Sequence, residues 1–552
     1  MKYDICIIGS GAGGGPIAYE LANAGYKVVV LEKGPDYTEK DFTKDEVAVS
    51  RRNKYTPPLK DEQHVINDRD RDGSTTRYEG NEHNWSFWNG SMVGGSSNLM
   101  SGFFHRMKPD DFRLKSKYGK IKGANIVDWP ISYDDLEPYY TKVEEIIGVS
   151  GNAVKHKFSE PRTTNNFPYP LLEVNSATKW FETACKSLGY ESIPTPRAIL
   201  PHNALKRNGC SYSNFCGSYG CSTGAKGSSR AALLQKCDAK IISDAFVFKL
   251  DSDKRKITRA HYYEKDMTHK VINAKVFVVA AQAIETSRLL LNSKNIHFQN
   301  GLANNNGQVG KNLIFSAGGS GQGRIRFEKL TKEQQHDLMQ PGLFFNRSLQ
   351  GWYEYESRGK KFKGGTIDFL FEHANIIGRA TKEFRDEDGS LIWGEELQKK
   401  MHKNLTTSRV LTFEVFNDWL PTDYCNVTID DKVKDKYGVS VGAINLHSHP
   451  HDIKVGEHLA QKAKRILYEM GAEDISVNIS SAPPPNLVAG GCRFGINPKT
   501  SVLDLNCKAH ELNNLYVADA SFMPTGGSVP YTWTIYANSF RVADAIMDSL
   551  EG

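Results

Sequence analysis

The chain has 552 residues, more than a single hydrophobic core organises, so two domains or one composite pair is expected. At 39% apolar and 24% charged residues it has the composition of a soluble globular protein, and 70 basic against 64 acidic side chains leave a net charge of only +6. That small excess, with no dense basic run, gives nucleic-acid binding no support, and no apolar run reaches the length of about eighteen residues that a membrane-spanning helix needs.

The first residues lead straight into an apolar segment, Ile5-Cys6-Ile7-Ile8, which leaves no room for a cleavable signal. The nine cysteines are scattered and odd in number, so a reduced, cytoplasmic setting is expected. After the strand at 5–8 comes Gly9-Ser10-Gly11-Ala12-Gly13-Gly14, then a helical stretch ended by Gly25, then a strand at 28–31 that stops at Glu32 and Lys33. Each part has a physical role in holding a dinucleotide. Gly9 permits the tight turn, Gly11 lets the backbone approach a pyrophosphate, and Gly14 lets helix and strand pack closely. The helix N-terminus offers free N–H groups to the phosphates, and Glu32 accepts hydrogen bonds from the adenosine ribose, which disfavours a 2′-phosphate.

Further along, Trp88-Asn89-Gly90 precedes Val93-Gly94-Gly95-Ser96-Ser97-Asn98, and Asp128-Trp129-Pro130 precedes Leu136-Glu137-Pro138-Tyr139-Tyr140. Cys210, Cys216 and Cys221 lie in a glycine-rich stretch; spacings of this kind fit a loop of tucked thiols better than an iron–sulfur cluster. A second strand-and-helix pattern occupies 276–291. Between 318 and 480 the pattern changes to strands at 410–416 and 439–444 and an amphipathic helix at 459–470, read as an α+β substrate domain. The run His447-Ser448-His449-Pro450-His451 has no paired cysteine or acidic cluster and is read as a solvated turn; no metal site is expected. The C-terminal part holds Gly490-Gly491-Cys492-Arg493, an apolar strand before Asp519-Ala520, and a helix from about 534.

Taken together these segments resemble the glucose–methanol–choline (GMC) family of flavin oxidoreductases nearly end to end, nearest the branch of gluconate dehydrogenase-like large subunits and amino-sugar oxidases. The resemblance implies an α/β fold in which a Rossmann-type FAD-binding domain (1–317, with the flavin loop at 88–98 and the cysteine loop at 209–227) is interleaved with the substrate domain (318–480) and completed by 481–552. It implies FAD, and a cofactor set of Gly9, Ser10, Gly11, Gly14, Glu32, Lys33, Gly94, Gly95, Ser97, Asn98, Val247, Asp519, Ala520, Tyr531 and Thr532. Asn98 stands where some relatives attach flavin through a histidine, so non-covalent binding is expected. Some related subunits carry a three-iron cluster on cysteines in this part of the chain.

The family's alcohol oxidation resembles base-assisted hydride transfer, in which a histidine near flavin N5 takes the hydroxyl proton and a second His or Asn orients the substrate. Aligned without gaps, those positions fall on Leu487 and Pro530, neither of which moves a proton. The polar neighbours are Asn486 and Tyr531, and His105 and His202 are candidate bases from elsewhere in the chain. Three readings stay open: oxidation of a sugar-like or other polar alcohol with a different base; flavin chemistry needing no such base, such as desaturation, decarboxylation or reduction; and a flavin-binding subunit without turnover. The acceptor that reoxidises the flavin (oxygen, a quinone or a haem protein) is left open.

Overall fold

The computed structural model describes residues 2–49, 55, 64–70, 72–79, 89–316, 318–339, 344–372, 375–386, 388–479 and 487–551. The strand Lys2–Ile8 lies between Val28–Leu31 and His269–Val279, parallel to both, with Ile5 opposite Val28 on one side and Val276 on the other. Ile5, Cys6 and Ile7 are fully buried, as continuous apolar strands covered on both faces must be. Lys240–Ile242 extends the sheet at one side. At the other, Leu515–Val517 pairs in parallel with His269–Val279, so a strand from near the C-terminus completes the sheet begun at residue 2. The helix Gly14–Asn23 packs on it, and the C-terminal helix Thr532–Glu551 packs against that helix. That last helix starts two residues before the expected 534.

A second sheet runs in the order Val488–Gly491, Lys311–Phe315, Asn426–Lys434, Ser440–Leu446, Val65–Arg69, Thr75–Glu79. The third runs Glu473–Asn478, Gly319–Arg326, Ser408–Asn417, Gly365–Phe371, Arg347–Leu349, Ile193–Pro194. Residues 318–480 therefore supply strands to two different sheets. On Ser408–Asn417, the side chains of Leu411, Phe413 and Val415 join one apolar core with Leu459, Ala463 and Ile466 of the covering helix. The alternating positions Glu414 and Phe416 face the other way, into the cavity described below.

The covering helix is Pro450–Glu469, nine residues longer at its start than the expected 459. His449 is the reason: its Nδ1 accepts the N–H of His451 at 3.1 Å while Nε2 donates to the carbonyl of Lys122 at 2.9 Å, and Pro450 takes the first helical position. The histidine run is thus a helix cap rather than a solvated turn. Among the described residues no helix is long and apolar enough to cross a membrane.

Candidate active site

The tips of the parallel strands open onto one long cavity of about 340 Å³. Its near end is the glycine turn. A Cβ on Gly9, where φ is +96°, would lie 2.3 Å from the carbonyl oxygen of Ala280, and one on Gly14 would lie 2.0 Å from that of Gly9, so both glycines are demanded by packing. Gly11 differs, since its nearest neighbour would be the Cα of Gly95 at 3.9 Å. The turn is closed behind Gly11 and open in front of it, which is the fit test a dinucleotide pyrophosphate sets.

Glu32 ends the second strand and is buried. Its Oε2 accepts the N–H (3.1 Å) and hydroxyl (2.5 Å) of Ser10, and Oε1 accepts the N–H of Gly34 at 3.0 Å. Burial pushes its carboxyl up, against these bonds that favour the charged form. Oε1 keeps an acceptor position for a ribose hydroxyl. Beside it, Lys33 Nζ lies 5.2 Å from the ring centre of Phe246, and burial holds its amine below the usual lysine range.

The flavin loop is laced to the glycine turn. Gly94 N–H donates to Ser10 Oγ (2.8 Å), Ser97 Oγ donates to the Gly94 carbonyl (2.5 Å), and Ser229 bridges Ser97 and Ser10 at 2.9 and 2.7 Å. The amide of Asn98 donates to the carbonyls of Val93 and Gly95, so that side chain braces its own loop. Asp519 is the corresponding brace from the C-terminal side. Its Oδ1 accepts from Ser521 N–H and hydroxyl at 2.8 and 2.5 Å, and its Oδ2 from Gln282 N–H at 3.0 Å and the Thr286 hydroxyl. All four acceptor positions are filled, so a ribityl hydroxyl would have to displace one of them.

Of the residues expected to hold the cofactor, Gly9, Ser10, Gly11, Glu32, Lys33 and Gly95 line the cavity, and so do Ser97, Val247, Asp519, Ala520, Tyr531 and Thr532. Gly14, Gly94 and Asn98 are absent from the lining and act from behind it. Leu487 and Pro530, the positions on which the resemblance places the catalytic pair, line the same cavity with Val488. Leu487 sits at φ +54°, a left-handed conformation rare for leucine, and its carbonyl accepts the Tyr531 hydroxyl. Tyr531 is therefore a donor already engaged, and burial pushes its phenol well above the ordinary range. Asn486 lies outside the described residues.

The two candidate histidines are elsewhere. His105 is buried, 3.0 Å from Asp368 Oδ1 and 3.5 Å from Ser348 Oγ, and does not line the cavity; His202 is exposed against Tyr169. Sequence reasoning missed one wall, formed by Ser101, Phe103, Leu370, Glu414 and Phe416, and the pair Glu285 and Arg288, whose guanidinium shares the Phe246 ring with Lys33. Strand alternation at 410–416 was the signal available for Glu414.

Cys210, Cys216 and Cys221 pack around Leu172, Ile199, Ala225 and Phe344. The buried Lys226 ammonium donates to the carbonyls of Asn98, Cys216 and Tyr219. Burial pushes the Cys210 thiol up to about 12, whereas at Cys221 burial is outweighed by the Lys226 charge together with hydrogen bonds from Thr223 and the Lys226 backbone, which lower it. Among the described residues no three His, Cys, Asp or Glu side chains converge on a metal position.

A parallel sheet with a glycine turn, an acid at the second strand tip and a cavity shared by both chain ends defines a dinucleotide-dependent oxidoreductase fold. Family models of the GMC oxidoreductases match residues 21–316 and 421–539, and the chain belongs to that family of flavin-dependent oxidoreductases. It is 28% identical to the 2-methyl-1,2-propanediol dehydrogenase of Mycolicibacterium austroafricanum, over 98% of this chain and 95% of that protein. It is 27% identical to the paromamine 6'-oxidase of Streptomyces fradiae, over 99% and 92%. Among solved structures, a formate oxidase variant of Aspergillus oryzae RIB40 superposes with a TM-score of 0.66 at 16% identity, covering 100% of this chain and 99% of that one.

Proposed function

We propose that the chain binds FAD non-covalently in the long cavity and oxidises a hydroxyl group of a small polar alcohol, diol or sugar-like compound. One observation carries the reading: the open face of Gly11, the Glu32 carboxyl, the 95–97 loop and positions 487 and 530 all line a single cavity. The relatives named for a propanediol and for paromamine support the substrate class. The residues that would hold the cofactor are the 9–11 turn for the phosphates, Glu32 for the ribose, and the 95–97 loop with Tyr531 and Thr532 for the ring. Asn98, turned into its own loop, favours a dissociable cofactor. Bound there, FAD supplies a two-electron acceptor for the carbon-bound hydrogen. The chain's part is to seat the alcohol between the 101–103 segment and the 414–416 strand, keep water out with Leu370, Phe416 and Leu487, and take the hydroxyl proton.

The test is the visible spectrum of the purified protein, oxygen-free, before and after adding alcohols, vicinal diols, sugars and amino sugars. Bleaching of the flavin bands by one class supports the reading and names the class. A flavin that stays oxidised across the panel overturns it. The apolar surface of Leu487, Val488 and Pro530 would then favour the second reading, chemistry on an apolar substrate without a hydroxyl base, tested with unsaturated lipids and carboxylates.

A further inference from the structure

Resting on the alcohol reading above, we propose that Glu414 is the catalytic base, taking the proton of the substrate hydroxyl in place of the absent histidine. Elimination is the first argument. Leu487 and Pro530 carry no proton acceptor, the Tyr531 hydroxyl is engaged with the Leu487 carbonyl, and His105 and His202 do not line the cavity. Three other carboxylates do reach it. Asp519 has its acceptor positions filled, Glu32 is at the second strand tip, and Glu285 is paired with Arg288, which shares the Phe246 ring with Lys33 beside that tip. Among the described lining residues, Glu414 is the carboxylate on the wall with Ser101, Phe103 and Phe416.

Position is the second argument. Glu414 points away from the apolar core because Phe413 and Val415 occupy it, and Phe416, two residues on, lines the same cavity. The strand is tied to the turn carrying Pro530: Gly318 N–H donates to the Val415 carbonyl at 2.7 Å, and Ser316 Oγ donates to the Val529 carbonyl at 2.9 Å. Two residues of strand span about 7 Å, which separates Glu414 from Phe416 along the wall of the cavity that Pro530 also lines.

The third argument is electrostatic. Directly across the strand pair from Glu414 stands Asp368, whose Oδ1 takes Ser348 and His105 and whose buried Oδ2 makes no hydrogen bond. Being direct cross-strand partners, the two carboxylates lie on one face of the sheet. Arg197 counters them: it is buried, feels the charges of both Asp368 and Glu414, and is fixed by Asn346 Oδ1 and the Ser101 carbonyl at 2.8 Å each. In the step itself the O–H bond breaks with its proton going to Glu414. The carbon-bound hydrogen leaves with its electron pair to FAD, and the oxygen's freed pair completes the C=O bond. The alcohol is oxidised and the flavin reduced.

The experiment compares wild type, Glu414→Gln and Glu414→Asp as holoenzymes, with the alcohol that bleaches the wild type. Glu414→Gln is expected to keep its full complement of FAD and to bleach roughly 10²–10⁴-fold more slowly, with Glu414→Asp in between. The infrared difference spectrum on reduction should show a protonated-carboxyl band in the wild type that Glu414→Gln lacks. Bleaching of Glu414→Gln at the wild-type rate, or the band surviving in it, overturns the assignment and leaves the alcohol reading intact. Loss of FAD from Glu414→Gln places the residue in the scaffold and overturns it as well. A wild type that no alcohol bleaches overturns the alcohol reading, and this assignment with it.

Discussion

At the scale of single residues, the glycine turn separates two roles that the motif alone does not distinguish. Gly9 and Gly14 are consumed by packing, whereas Gly11 faces open space. Gly11→Ala should therefore fold with an unchanged melting temperature in the absence of FAD, yet bind FAD about tenfold or more weakly, because the methyl fills the pyrophosphate's approach. Gly9→Ala, forced to φ +96° and against the Ala280 carbonyl, should lose stability outright, by ~1–3 kcal/mol from the backbone strain alone. Urea unfolding and FAD titration of the two variants check this; equal FAD loss with equal destabilisation would count against the separation. These glycines were legible in the sequence because a turn, a helix start and an acid recur at fixed spacing. Glu414 was not, because a glutamate on a strand is ordinary until the fold shows which cavity that face of the strand meets.

At the scale of elements, the helix Tyr133–Val143 positions the C-terminal helix from outside: Tyr140 OH lies 2.8 Å from Thr534 Oγ1, and Tyr139 OH donates to Asp544 at 2.8 Å. Glu137, one turn before Tyr140, belongs to a buried ionic cluster whose Arg106 lies against the Tyr140 ring. Arg106 bonds Glu137 and Glu144, Arg162 bonds Glu144 at 2.5 Å, and Lys108 bonds Glu160. Burial alone would raise the Glu160 carboxyl, but the Lys108 charge and hydrogen bond outweigh it and bring it down to about 2. A folded-state value below the unfolded one means that the stabilisation is complete above about pH 4.5 and fades as pH falls toward 2. Glu160→Gln should thus be less stable than wild type at pH 7, with the gap narrowing below pH 4.5. Denaturant midpoints at pH 7, 4 and 3 decide it; a gap independent of pH would show that the pair does not carry the effect. Element types were readable from period and punctuation. Starts were harder where a cap is unusual, as at His449, whose imidazole does what Ser or Asp more often does.

At the scale of the whole molecule, the sheet that carries the cofactor turn is not finished until Leu515–Val517 pairs with His269–Val279, and the cavity draws on both ends of the chain. The sequence implied this closure, since one site's signatures sat some 500 residues apart. The division of 318–480 between two sheets was not implied, because strand pairing over such separations leaves no local trace. The closure has a thermodynamic consequence. A ligand that contacts residues 9–11, 95–97 and 519–532 together binds only the fully assembled state, so it stabilises all of it at once. FAD at 100 times its Kd should add about 2.7 kcal/mol, which in a protein of this size raises the melting temperature by only about 2 °C. The sharper signature is coincidence. Loss of helical and sheet signal in far-ultraviolet circular dichroism and release of flavin fluorescence should follow one transition, and both should move together as FAD is added. If the FAD-binding sheet were stable without the C-terminal strand, flavin release would instead separate from the loss of secondary structure, and two transitions with different FAD dependence would be seen.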